Sequence, residues 1–161
     1  MKLSSQFSSV ANMVLKLQQA GAHGVSLFNR FYLPDIDLET LHIKPQLELS
    51  TASESLLRIR WIALIRGRID ISLAATGGFH NTDTIIKALL AGADVTHLCS
   101  VLLQYGPGHI ATLEKQMTEW LEQHEYESVA QMKGSVSRSC AINPAALEHN
   151  NYLDVIKSYE A

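Results

Sequence analysis

Apolar residues recur at a helical spacing near the start of the chain. Phe7, Val10, Ala11, Val14, Leu15 and Leu17 fall close to a 3.6-residue period, which predicts a helix over 7–20. Ser4 or Ser5 can cap it, and Gly21 stands where such a helix ends. Gly24-Val25-Ser26-Leu27-Phe28-Asn29 then reads as a buried strand. Residues 30–45, which contain Pro34 and Pro45, form a long connection with one short extended piece, Leu41-His42-Ile43. Leu47-Glu48-Leu49-Ser50 reads as a second strand. The run Trp61-Ile62-Ala63-Leu64-Ile65 admits a strand as well. However, Leu57, Trp61, Leu64 and Ile65 sit at i, i+4, i+7 and i+8 with Gly67 just beyond, so 53–66 is predicted as a helix. A strand over 69–75, a helix over 82–91 ending at Gly92 and a strand over 94–99 follow. A helix from Pro107, at its first position, runs to about His124, and a short helix and an irregular polar tail follow from Tyr126.

The predicted order is α-β-β-α-β-α-β-α. Such alternation implies a parallel sheet with right-handed crossovers. Gln19-Ala20-Gly21-Ala22-His23 and Leu90-Ala91-Gly92-Ala93-Asp94 both leave a helix and enter a strand, which fits the same class. The 161 residues suffice for one domain with a core. A (β/α)8 barrel takes about 250 residues, so the length fits a smaller α/β fold or part of a barrel. With 47% hydrophobic and 18% charged residues the composition is that of an ordinary globular protein. The net charge of −3, without a dominant basic patch, argues against a nucleic-acid partner. No apolar stretch approaches the ~18 residues of a membrane span. Met1-Lys2-Leu3-Ser4-Ser5 lacks the apolar core of a signal peptide, and Cys99 and Cys140 form no CxxC pair. A cytoplasmic protein is expected.

The candidate chemistry lies where strands turn into helices. Ala74-Ala75-Thr76-Gly77-Gly78 closes one apolar segment and precedes a helix opening at Asn81-Thr82-Asp83. Glycines let the backbone approach an anion, and the N–H groups of a helix start favour negative charge. A second strand, 95–100, ends in Cys99-Ser100 and leads into another helix. Two adjacent turns of this kind resemble the phosphate site after strands 7 and 8 of a (β/α)8 barrel. The carboxyl ends of the predicted strands add Asn29 and Ser50-Thr51, and Lys2-Leu3-Ser4 would be another such end if a strand preceded it. Plainer roles exist for each: an ordinary turn at Thr76-Gly77-Gly78, a solvated terminal lysine at Lys2, a cap at Asn29 and a small buried residue at Cys99. His80 reads as an exposed loop residue, His97 as a core residue, and Trp61 and Trp120 as core. The seven histidines show no metal-ligand spacing.

Lys2-Leu3-Ser4, Leu27-Phe28-Asn29-Arg30, Ile43-Lys44-Pro45, Ala75-Thr76-Gly77-Gly78, Gly106-Pro107 and Tyr126-Glu127-Ser128-Val129 occur in the order found in dihydroorotate dehydrogenases. Residues 29–39, Asn-Arg-Phe-Tyr-Leu-Pro-Asp-Ile-Asp-Leu-Glu, closely resemble a stretch of the dihydroorotate dehydrogenase-like proteins. The resemblance covers about residues 2–135 and implies the C-terminal half of an FMN-binding (β/α)8 barrel, followed by a polar tail over 136–161. It implies oxidation of dihydroorotate to orotate in pyrimidine biosynthesis. By the same resemblance Lys2 lies at the flavin ring, and Asn29 hydrogen-bonds the pyrimidine. Gly77, Gly78, Cys99 and Ser100 hold the FMN phosphate, and Ser50 and Thr51 lie beside the flavin or its ribityl chain.

This chain departs from the family pattern in three places. Many members have a glycine-rich turn in place of Ser50-Thr51, and many have glycine in place of Cys99. The proton-abstracting Cys or Ser of the family belongs to the N-terminal half, and no catalytic residue is assigned here. Only Met1 precedes Lys2, so the sequence reads as a truncated or split enzyme, poorly active alone. Self-association or a partner chain supplying the other half barrel is expected. The alternatives are a barrel enzyme that binds a phosphate ligand without flavin, and a non-catalytic remnant or assembly subunit.

Overall fold

The computed structural model describes residues 1–140, together with Pro144 and Lys157. In chain order the elements are β1 (Lys2–Leu3), α1 (Val10–Gln19), β2 (Gly24–Leu27), β3 (Asp35–Ile36) and β4 (Ile43–Lys44). A 3-10 turn (Ala52–Glu54) leads into α2 (Ser55–Ile65), β5 (Ser72–Thr76), α3 (Thr82–Ala91) and β6 (Val95–His97). Three helices follow: α4 (Ser100–Tyr105), α5 (His109–Gln123) and α6 (Val129–Met132).

Four strands form one parallel sheet in the order β1-β2-β5-β6. The register pairs Leu3 with Leu27, Leu27 with Ala75, and Thr76 with His97. This α/β arrangement is consistent with part of a (β/α)8 barrel. Side chains alternate across a strand. Val25, Leu27, Leu73 and Ala75 therefore face the helices, where they join Val14, Ile62, Ile65 and Ala88 in the core. Gly24, Ser26, Ala74 and Thr76 face the other way and are only partly covered, and Ser72 is exposed. Parallel sheets normally bury both faces. Here, among the described residues, one face carries helices and the other is open.

The helices follow their local signals with three exceptions. α3 is capped by the Asn81 side chain, which accepts from the Thr84 N–H at 3.0 Å, and it ends at Gly92 with φ +115°. α1 begins at Val10, without a side-chain cap from Ser4 or Ser5. The predicted stripe on α2 is shifted: Leu57 is exposed, and Arg58 takes a buried position beside Ile62 and Ile65. The helix predicted from Pro107 begins at His109 instead. Pro107 lies in the turn after Gly106, whose φ of +80° ends α4.

Two strand expectations are also corrected. Lys2-Leu3 is itself the first strand, held against β2, with Ser26 N donating to Met1 O at 2.7 Å and Asn29 N to Leu3 O at 2.6 Å. Leu47–Ser50 is not a strand, because the Arg30 guanidinium takes the carbonyls of Glu48 and Leu49 that a ladder would need. The extended piece near residue 43 pairs as β4 with β3, antiparallel, in a hairpin that projects from the end of β2. The first residues of the expected tail are tied down, with Val136 N donating to Leu90 O and Arg138 N to Ala63 O, both at 3.0 Å. Most of 141–161 lies outside the described residues. Among the described residues, no helix is long and apolar enough to cross a membrane.

Candidate functional site

The two glycine- and serine-bearing turns meet in one cleft at the carboxyl ends of β5 and β6. Lys2, Ser50, Gly77, Gly78, Cys99 and Ser100 all line it. Gly77 and Gly78 have φ of +94° and +89°, a backbone region that disfavours any side chain. At Gly78 a Cβ would also stand 2.3 Å from the Ser55 backbone nitrogen, so the turn is pressed against the start of α2. Cys99 lies just before the first turn of α4 and is exposed, not buried as the sequence implied. Among the described residues, the N–H groups of Gly77, Gly78, Cys99 and Ser100 have no backbone hydrogen-bond partner. Four such donors beside one cleft are of the chemical type that can receive an anion.

Arg58 shapes this turn from behind. It is only 6% exposed. Its Nε donates to Thr76 O at 3.1 Å, and its Nη1 to Glu54 O at 2.8 Å. The Phe28 N–H donates to the same Thr76 carbonyl at 3.2 Å. In a trans peptide the carbonyl and the following N–H point in opposite directions. Fixing Thr76 O from two sides therefore turns the Gly77 N–H away from Arg58. Burial draws the Arg58 guanidinium below its ordinary value, against the opposing pull of the Glu54 carboxylate. Burial would raise the Glu54 carboxyl, but the Thr51 N–H and the Arg30 guanidinium outweigh it and hold Glu54 below the usual range.

Ser50 and Ser100 close one side of the cleft. The Ser50 N–H and hydroxyl both donate to Ser100 Oγ, at 3.1 and 2.9 Å. Ser50 Oγ also lies 2.9 Å from His80 Nε2, which donates when the serine proton is given to Ser100. Ser100 Oγ thus accepts twice and keeps its own hydrogen for a further acceptor. Across the open sheet face, Ser26 Oγ, Thr76 Oγ1 and His97 Nδ1 form a ladder with spacings of 2.6 and 3.0 Å. His97 is exposed and lines the cleft, not the core where the sequence placed it.

Two predicted residues lie outside the cleft wall. Thr51 is engaged in its own turn: its N–H donates to Glu54 Oε1 at 3.1 Å and its hydroxyl meets Ser53 Oγ at 2.9 Å. Asn29 stands exposed at the end of β2, between the cleft residues Phe28 and Arg30. Arg30, Arg58 and Tyr32 were not singled out by the sequence reading. Arg30 closes the base of the hairpin, bonding Glu54 Oε2 at 3.2 Å as well as the carbonyls of Glu48 and Leu49. A charge inside an apolar helical run was the one available signal for Arg58.

No protein-family model matches the chain. It is 24% identical over 141 residues to the catalytic subunit of dihydroorotate dehydrogenase B (NAD(+)) from Caldicellulosiruptor saccharolyticus, covering 84% of this chain and 46% of that one. It is 31% identical over 94 residues to a dihydroorotate dehydrogenase (quinone) from Allorhizobium ampelinum, covering 57% of this chain and 24% of that one. The chain is thus similar to part of several dihydroorotate dehydrogenases. A chloroplastic dihydropyrimidine dehydrogenase (NADP(+)) from Arabidopsis thaliana is also similar, 21% identical over 147 residues, 83% of this chain and 34% of that protein. The chain spans less than half the length of the curated relatives it matches.

Proposed function

We propose that this chain forms the phosphate-binding wall of an FMN-dependent oxidoreductase acting on dihydroorotate or a closely similar dihydropyrimidine. The observation that carries the reading is the set of unpartnered N–H groups at Gly77, Gly78, Cys99 and Ser100, gathered in one cleft. Lys2 and Arg30 line the cleft as cations, and Arg58 lies behind its glycine turn, where Glu54 pairs with both arginines. This donor set fits a phosphate monoester. The four backbone N–H groups and the Ser100 hydroxyl hold the phosphate oxygens. Lys2, which lines the cleft, would place an ammonium near a bound flavin and would favour negative charge on its ring. The chemistry that such a flavin would supply is a hydride acceptor for the pyrimidine. Asn29, exposed at the end of β2, would supply a donor and an acceptor to a pyrimidine edge.

The cleft holds about 130 Å³. Complete ligand sites span about 300–1,000 Å³, so these residues enclose the phosphate end and one face of the ring. Oxidation also needs a base on the substrate and exclusion of water. We assign no base here; Cys99 sits in the phosphate turn, away from that task. Turnover by this chain alone is therefore expected to be poor.

The test is to add FMN to the purified full chain, remove the excess and record the visible spectrum. Retained flavin bands at near-stoichiometric occupancy support the reading. A colourless protein that binds inorganic phosphate or a sugar phosphate at the same cleft overturns the flavin assignment and supports a phosphate-ligand protein instead. Ready oxidation of dihydroorotate by the chain alone sinks the expectation of poor turnover.

A further inference from the structure

The backbone of His80 is held on both sides. Phe79 is buried in the core, and the Asn81 side chain caps α3 through the Thr84 N–H. The imidazole between them is half-buried, not exposed as the sequence implied. Its Nε2 lies 2.9 Å from Ser50 Oγ. Ser50 is held as well: it is buried and follows the Glu48 and Leu49 carbonyls that the Arg30 guanidinium grips. His80, Ser50 and Ser100 come from three separate segments, so the fold, and no local turn, lines them up.

Proton counting gives this line of groups a direction. A hydroxyl has one hydrogen and two lone pairs. Ser100 Oγ accepts from both the N–H and the hydroxyl of Ser50, at 3.1 and 2.9 Å. The Ser50 hydrogen is committed to Ser100, so the contact with His80 is made by an Nε2–H that donates to Ser50 Oγ. Ser100 Oγ has both lone pairs filled, so its own hydrogen points away from Ser50, and Ser100 lines the cleft. We propose that His80 is a positioning residue for a phosphate monoester in this cleft: its Nε2–H, acting through Ser50, holds the Ser100 hydroxyl as a donor to the phosphate. Without that N–H the Ser50 hydrogen is free to turn, and Ser100 can donate to Ser50 instead. It would then present a lone pair to the anion. A donor that is already oriented needs no rearrangement when the ligand arrives. His80 lies outside the cleft lining, so the two serines carry its effect. The inference rests on the phosphate reading of the cleft and not on the flavin.

The test is titration of the full chain with FMN, read by flavin fluorescence. His80→Leu should weaken binding about tenfold, the scale of one hydrogen bond to a charged group. His80→Gln keeps an N–H donor at that place and should restore most of the affinity. Ser50→Ala should lose as much as His80→Leu, and the double variant no more than either, because both substitutions cut the same line. His80→Leu binding as tightly as wild type overturns the proposal. So does His80→Gln binding as weakly as His80→Leu, which would make the imidazole a packing residue. A double variant weaker than Ser50→Ala overturns it too, since His80 would then act by another route. If wild type takes inorganic phosphate, read by phosphorus NMR, but not FMN, the flavin assignment alone fails. The same ranking measured with phosphate then supports the role of His80, and a flat series overturns it. A wild-type chain that takes neither overturns both.

Discussion

Arg58 holds the Thr76 carbonyl from inside the core, where a guanidinium is costly unless its donors are matched. Two of those donors reach backbone carbonyls, and one of those carbonyls belongs to the glycine turn. Arg58→Met should leave Thr76 O with the Phe28 N–H alone and let the Gly77 peptide rotate. We expect FMN affinity to fall by about tenfold, the equivalent of ~1.4 kcal/mol, with riboflavin affinity unchanged. Fluorescence titration with both flavins checks this, and an equal loss for the two would assign Arg58 to the fold alone. Gly78→Ala places a Cβ 2.3 Å from Ser55 N at a φ of +89°. A destabilisation of about 1–3 kcal/mol is expected from the backbone alone, measurable by denaturant unfolding. Glycine at 77 and 78 was legible in the sequence, because a strand running into Thr-Gly-Gly leaves few backbone options. Arg58 was not, because period counting assigned the core position to Leu57, one residue earlier.

At the scale of elements, Asp94 ties a helix-to-strand junction to the last short helix. Its carboxylate accepts from Leu73 N at 2.8 Å and from Lys133 Nζ at 2.8 Å, and it pairs with Arg66 at 3.3 Å. Burial alone would raise this carboxyl, but the Lys133, Leu73 and Arg66 contacts hold it below its ordinary value. A depressed folded pKa stabilises the protein above the unfolded value of about 3.9. The contribution shrinks as pH falls from about 5 and is gone below the depressed folded value. Asp94→Asn should therefore cost stability at neutral pH and flatten the acid side of the stability profile, as thermal melts between pH 3 and 7 would show. A parallel pH dependence in variant and wild type would exclude this role. α3 was fully legible, since Asn81 and Gly92 punctuate it at both ends. The false strand at 47–50 was not avoidable by alternation, because the competitor for its carbonyls, Arg30, lies 18 residues before Glu48.

At the scale of the molecule, period-2 burial in β2 and β5 leaves a helix-covered face and an open, small and polar face. The class of fold was readable from alternating elements, whereas the open face needed the register, which no single strand discloses. Binding of FMN at about 100 times its dissociation constant adds ~2.7 kcal/mol to the folded state. For a chain of this size that raises the melting temperature by about 5–10 °C. Differential scanning fluorimetry reads this directly, and no shift at saturating FMN would count against the site.

Tyr32 stands in the wall of the cleft and in the wall of an apolar groove on the β3–β4 hairpin. Its ring lies 5.7 Å from the Arg30 guanidinium, which in turn grips Glu54. One side chain shared by two surfaces is a thermodynamic link. If packing in the groove changes the affinity of the cleft for its ligand, the ligand changes the affinity of the groove by the same factor. Occupancy of the groove and occupancy of the cleft would then be read off one another through a single tyrosine.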